Sequence, residues 1–161
     1  MIPYLQIILI LMNKRRWQLN KDYSTLEHWF KLHKWDSPIP KDLLPEFGII
    51  VEDICAAGLY MDRTSKFSYM YGIFSNPKIP KIKLVKGIIL CLQEIKKLAK
   101  EFNLNFIYTT TAEPSLHKLY NKILKINNCE SNLKAYIIDL NNSNINLDWI
   151  SENKEIKNGN R

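Results

Sequence analysis

Between Phe67 and Tyr120 the apolar positions change spacing in a fixed order: alternate residues, then steps of three and four, then alternate residues again. Phe67-Ser-Tyr-Met-Tyr-Gly-Ile-Phe74 is rich in aromatic and β-branched residues and predicts a strand. Asn76-Pro-Lys-Ile-Pro80 stops it, because proline donates no ladder hydrogen bond and restricts the residue before it. From Ile82 onward, Leu84, Ile88, Cys91, Ile95, Leu98 and Phe102 draw one stripe along a helix. Val85, Ile89, Leu92 and Ala99 widen that stripe, so the helix lies flat on a sheet rather than on a single partner helix. Asn103 ends it. Leu104–Thr111 predicts a second strand, and Glu113-Pro114 opens a helix through Leu116, Leu119, Tyr120 and Ile123. Strand, crossover helix, strand is a βαβ unit with its two strands parallel.

The flanking chain adds antiparallel elements. Phe47–Val51 and Ile54–Met61 read as short strands around a tight turn at Glu52-Asp53, and Ala56, Ala57 and Gly58 suggest a bulge or close backbone approach. Asp62–Lys66 is the next turn. Asp22–Trp35 reads as an amphipathic helix with Tyr23, Leu26, Phe30 and His33 on one face; Ser24 with Glu27 fits a capping box, and Asn20 fits an earlier cap. Asp36–Pro45, which holds three prolines, is an extended connection. Ile123–Asn132 is polar and turn-like, and Leu133–Leu140 is a last strand. The pattern predicts an α+β domain over residues 12–140 with a mixed sheet and helices on both faces. Residues 1–11 are an apolar extension, read as an extra edge strand or as sequence upstream of a start at Met12; residues 141–161 are a polar tail expected to be disordered.

Composition narrows the function classes. A chain of 161 residues, 46% hydrophobic and without an apolar run of bilayer length, fits one soluble domain and a cytoplasmic setting. Cys55, Cys91 and Cys129 are scattered, which fits buried thiols rather than a zinc site or a disulfide framework. The net charge of +7 admits three readings: nucleic-acid binding, an anionic small ligand, or lysine-rich solvated faces. The lysines are scattered and no nucleic-acid motif stands among them, so nucleic acid is the least supported partner. His28 and His33 lie in an aromatic-rich helix, where packing or surface roles are the usual ones. No metal-ligand cluster, Ser-His-Asp order or Walker-type loop is visible, which leaves hydrolases and nucleotide triphosphatases without support.

Three stretches carry a resemblance. The element order, with Trp35-Asp-Ser-Pro-Ile-Pro-Lys-Asp-Leu-Leu-Pro45 ahead of the sheet, resembles the GNAT acyl-CoA N-acyltransferase superfamily. More narrowly, it is similar to small phage-encoded GNAT-like proteins. A start at Met12 matches the short first strand of that family. The resemblance implies acetyl-CoA as cosubstrate, bound where the two parallel strands splay apart, with Ile73 and Phe74 on the strand before the crossover helix. In the family a glycine-rich turn at that helix start cradles the pyrophosphate. Here the turn is Lys81-Ile-Lys-Leu-Val-Lys-Gly87, in which only Gly87 remains of the glycines and Lys81, Lys83 and Lys86 supply charge. Two readings stay open: the lysines hold the phosphates, or the site is lost and they form an ordinary solvated face.

Glu113-Pro-Ser-Leu-His-Lys-Leu119-Tyr120 matches the family's last-helix motif at Leu119-Tyr120, with Glu113 and Leu116 in place of its Asn and Ala; Leu124-Lys125 stand where Gly-Phe usually follows. The resemblance makes Tyr120 the acid that protonates the departing thiolate; the bland alternative is a tyrosine packed on the sheet. It places Trp29, Trp35, Tyr71 and the Pro38–Pro40 loop at the acceptor pocket. Glu52, Asp53 and Glu113 are base candidates by type alone. The expected activity is N-acetyl transfer to an amine acceptor, a small molecule or a protein lysine or N-terminus, in the host cytoplasm if the protein is phage-encoded. The rival is a non-catalytic GNAT-like module that binds a protein partner.

Overall fold

The computed structural model describes residues 12–34, 38–124, 126–128 and 135–139. In chain order they form β1 (Lys14–Arg16), α1 (Leu19–Leu32), a single 3-10 turn (Lys41–Leu43), β2 (Phe47–Val51), β3 (Cys55–Met61) and β4 (Phe67–Ser75). There follow α2 (Lys81–Glu101), β5 (Phe106–Thr110), α3 (Pro114–Lys118) running on as a π-helical turn (Leu119–Ile123), β6 (Asn127–Asn128) and β7 (Ala135–Asp139). The strands make one sheet in the order β1-β2-β3-β4-β5-β7-β6. Every neighbouring pair is antiparallel except β4 and β5, the pair that α2 joins. The chain is therefore α+β with a mixed sheet, as its hydrophobic pattern predicts. Residues 1–11, Trp35, Cys129 and the tail from residue 141 lie outside the described residues.

The alternation of β2 and β3 explains how the sheet is covered on both faces. Ile49, Val51, Ala57 and Leu59 face α2 and pack with Ile89, Leu92, Ile95 and Leu98, while Ile50 and Ala56 face α1 and pack with Leu26, Trp29 and Phe30. A strand buried on both faces has to be apolar at successive positions, which is why Phe47–Val51 reads as a continuous run. α2 ends where the sequence says: Asn103 adopts φ 56°, and the Leu104 N–H returns to the Ala99 carbonyl at 3.0 Å.

Gly87 lies in the second turn of α2, pressed on the sheet. A Cβ there would stand 2.4 Å from Ile54 Cγ2. Its missing side chain lets α2 approach the start of β3. The same device works on the other face, where Gly48 and Gly58 are cross-strand partners and the Trp17 indole lies over both.

The first helix departs from its sequence reading. α1 starts at Leu19, so neither the Ser24–Glu27 box nor an Asn20 cap forms; all three residues lie inside the helix. The carboxylate of Asp22 takes over, accepting the Gln18 N–H at 2.6 Å and both terminal nitrogens of Arg15 at 2.7 and 2.8 Å. Negative charge in the first turn also suits the helix dipole. The helix ends at Leu32 rather than Trp35, with Lys34 at φ 56°. β6 is a further departure, a two-residue strand within the stretch expected to be turn.

Two expectations follow. Gly87→Ala gains about 1 kcal/mol of helix propensity, but forcing a methyl against Ile54 costs about 1–3 kcal/mol; the urea midpoint should therefore fall. A rise would show that Ile54 yields freely. The Arg15 hydrogen bonds hold the Asp22 carboxyl below the usual carboxylate range, so its contribution is complete above that range and fades as pH drops through the lowered value. Asp22→Asn should lower stability by about 1–3 kcal/mol at neutral pH, with the gap from wild type narrowing below pH ~4.

Candidate functional site: the β4–β5 splay

β4 bends at Gly72, which holds φ +50°, a left-handed conformation that glycine adopts without steric cost. The register with β3 slips at that point: Gly58 faces Tyr71, but Ala57 faces Ile73. Gly72 is thus the extra residue of a β-bulge. Before it, Met70 faces the α2 core and Tyr71 the α1 side; after it, Ile73 packs on the α2 core and Phe74 on the α1 core. The parallel ladder to β5 stops at Met70 and Thr109, whereas β4 runs on to Ser75. Among the described residues, the edge of β4 turned from β3 has no strand partner from Tyr71 to Ser75, because β5 ends at Thr110; an open edge lies beyond the last rung. The isolated glycine of Phe67–Phe74 was the available signal for this bulge.

The start of α2 stands at the end of β4. Pro80 caps it without a side-chain hydrogen bond, and no acidic residue lies in its first turn. Lys81 and Lys83 are exposed and Lys86 is half-buried. Cations at a helix N-terminus oppose the dipole, so this arrangement suits an anion in front of them. Asn76 fixes the turn. Its N–H donates to the Ile54 carbonyl at 2.9 Å, its side-chain amide to the Asp53 carbonyl at 3.1 Å, and its Oδ1 accepts the Lys78 N–H at 3.0 Å. Sequence reading assigned Asn76 only to a strand stop.

Tyr120 sits beside the last rung of the β4–β5 ladder. It is 1% exposed and belongs to the core shared with α2. Its hydroxyl bonds to the Thr109 side chain, and Thr109 Oγ1 donates to the Met70 carbonyl at 3.2 Å. The phenol is thereby linked to the last rung before the strands part. Burial first, and then the nearby Cys91 thiol, push its pKa well above the ordinary phenol value, with the Thr109 bond partly offsetting them. Tyr120 is therefore a neutral proton holder. It lies in the π-helical turn, closed by the Leu124 N–H on the Leu119 carbonyl at 3.0 Å, where sequence reading expected unbroken α-helix. Such turns are frequent at functional positions.

The other residues named from the sequence divide. Phe74 is buried edge-on to Phe30 (centroids 5.1 Å apart), so only its backbone is available to a ligand. Ile73 is half-buried. Gly87 is spent on packing against Ile54, not on a phosphate cradle. Trp29 is 2% exposed in the α1 core, which corrects its placement at an acceptor pocket: the tryptophan faces the sheet because α1 turns its aromatic stripe inward. Tyr71 is half-buried beside the bulge. His33 Nε2 lies 2.8 Å from the Ser75 carbonyl, pinning the end of α1 to the end of β4.

Of the carboxylates, Glu52 is engaged by Arg15 at 3.1 Å and Asn13 at 2.6 Å, and Asp53 occupies the left-handed turn at φ 59°. Glu113 opens α3, just beyond β5, and accepts the Ser115 hydroxyl. Cys55 and Cys91 are free and buried; contact with Cys91 and burial raise the Cys55 pKa, which leaves it a protonated core thiol. Among the described residues no His/Cys/Asp/Glu group could hold a metal, and no helix is long and apolar enough to cross a membrane. A cleft of about 560 Å³ opens at the opposite end of the sheet, between Phe47, Tyr60 and Phe102. None of the predicted site residues that the structure describes lines it.

The chain has the fold of the GNAT acyl-CoA N-acyltransferases. It is similar to an acyl-CoA N-acyltransferase candidate from Klebsiella pneumoniae, with TM-score 0.58 and 11% identity over 81% of this chain and 98% of that one. An acetyltransferase candidate from Staphylococcus epidermidis gives TM-score 0.59 and 15% identity over 80% and 99%. A Salmonella typhimurium acetyltransferase candidate, solved with acetyl-CoA, gives 0.55 and 11% over 80% and 94%. No protein-family model matches the chain, and no curated protein matches it significantly.

The bulge generates its own test. A methyl on Gly72 meets no atom within 4 Å, so Gly72→Ala isolates the left-handed conformation from packing. Chemical denaturation should show a loss of about 1–2 kcal/mol; an unchanged midpoint would mean that β4 does not need this conformation.

Proposed function

We propose that this protein is an acyl-CoA-dependent N-acyltransferase that passes an acetyl group to an amine. The observation that carries the reading is the open edge: β4 runs from Tyr71 to Ser75 beyond the end of its ladder with β5, leading into a basic helix N-terminus. Free backbone amides along that edge suit an amide-rich arm, and Lys81, Lys83 and Lys86 suit a phosphorylated end. The lysines replace by charge what a glycine cradle would supply by close approach.

In this reading the acceptor nitrogen attacks the thioester carbonyl directly. A C–N bond forms, the C–S bond breaks, and the developing oxygen charge takes a backbone N–H from the Tyr71–Phe74 stretch. Tyr120 gives its proton to the leaving sulfur. A buried phenol is a weak acid, but a thiolate released into the same apolar surroundings is a correspondingly stronger base. The base that takes the amine proton is water or Glu113, the carboxylate at the start of α3. The run from Trp35 to Pro45 supports a phage-encoded origin, and with it the cytoplasm of a host. One observation favours the rival, a non-catalytic binding module: Gly87, the remaining glycine of the cofactor turn, is committed to packing.

Calorimetric titration with acetyl-CoA separates the two. Micromolar binding should appear and weaken by about tenfold or more when Lys81, Lys83 and Lys86 are all replaced by alanine, since each loses a charge-assisted contact. No binding by a folded protein would sink the transferase and leave the module. Where turnover is measurable, Tyr120→Phe should lower kcat by about 10²-fold with acetyl-CoA affinity unchanged. Unaltered kcat would make Tyr120 structural.

A further inference from the structure

The α1 side of the sheet carries a row of rings. Tyr60 on β3 pairs with Tyr69 on β4, and Tyr69 with Tyr108 on β5, so the three stand abreast. The Tyr60 and Tyr69 rings are near-parallel with centroids 6.2 Å apart, and Tyr108 lies 5.9 Å from Tyr69. Tyr71 stands beside them next to the bulge, edge-on to Tyr60 and Tyr69 at 5.8 and 6.3 Å. Helix α1 covers Ile50, Ala56 and Phe74 but leaves this row open: Tyr60 is 36% exposed and Phe67, at its lower end, 40%. The Tyr60 hydroxyl donates to the Leu43 carbonyl, and Tyr69 shares a hydrogen bond with Thr110 at 3.2 Å. The Tyr71 hydroxyl has no hydrogen bond among the described residues. No strand residue on this face of β3, β4 or β5, from Ala56 to Thr110, is charged.

We infer that this tyrosine row is the acceptor surface and that the acceptor is a primary monoamine carrying an aromatic ring. The inference rests on the transferase reading, because it places the amine beside the splay where the thioester carbonyl would lie. Rings accept another ring offset or edge-on, and their faces tolerate one ammonium group. A polyamine or a basic peptide carries several charges and calls for carboxylates, which the described strand residues of this face lack. The Tyr71 hydroxyl, without a hydrogen bond among the described residues and one residue before Gly72, accepts an N–H from the amine and turns its nitrogen toward the opening. The overall exchange balances: amine and thioester give amide and thiol.

Saturation-transfer NMR without acetyl-CoA tests this, using 2-phenylethylamine, spermidine and a lysine tetrapeptide as probes. Phenylethylamine should bind at least tenfold more tightly than the other two, lose its signal in Tyr69→Ala/Tyr71→Ala, and bind several-fold more weakly to Tyr71→Phe. If the double variant melts early, Tyr71→Leu, which keeps an apolar contact on Phe74, takes its place and should weaken binding likewise. Equal binding of spermidine or the peptide, a signal that survives these variants, or a concentration-dependent dimer in sedimentation that covers the row would overturn the inference. Acetyl-CoA is absent from these samples, so a failed cofactor titration and a failed amine experiment remain distinct results.

Discussion

One left-handed glycine governs the site. Had β4 kept regular alternation, the side chains beyond Tyr71 would face the opposite sides of the sheet, and Phe74 would leave the α1 core for the α2 core. The bulge at Gly72 re-phases the strand and keeps both cores filled, just past the last rung with β5 at Met70 and Thr109. β5 ends at Thr110, so β4 runs on to Ser75 past the end of its parallel partner.

The structure around the splay is rigid for reasons that also serve the core. Asn76 ties the β4–α2 turn to the β2–β3 turn, and Gly87 lets the next turn of α2 settle on Ile54, so the lysines at the helix start stand on a fixed base. On the far side of the opening, Tyr120 is held by the apolar core around it and by Thr109. Its hydroxyl is aimed by packing rather than by a flexible loop, and the π-helical turn sets the rotation at which it enters the core. In the proposed reaction the two faces divide the work: the α2 side would supply Tyr120 and the lysines, and the strand residues on the α1 side, none of them charged, would supply aromatic surface.

Much of this was legible in the chain. Period changes located β4, α2 and β5 and their parallel pairing, because a face that must be buried leaves its spacing in the sequence. Glu113-Pro114 marked the start of α3, and Asn103 the end of α2, because proline and left-handed asparagine act locally. Phe47–Val51 announced a short strand, which the structure covers on both faces. Residue types also marked Lys81, Lys83 and Lys86 as a source of positive charge near the start of α2.

What failed to show is what depends on distant partners. Ser24 and Glu27 have the form of a capping box, yet Asp22 wins because Arg15, on β1, lies within reach of its carboxylate. Trp29 looked available for a ligand, and Gly87 for a phosphate; contacts across the sheet consume both. The tyrosines at 60, 69 and 108 are far apart in sequence and become a surface only when the register of β3, β4 and β5 aligns them. The sequence by itself determined the elements, their order and the fold class, since these follow from local propensity and periodic burial. Tertiary structure alone decided which residues are left free for chemistry, because freedom is what remains after packing and long-range hydrogen bonds have claimed the rest.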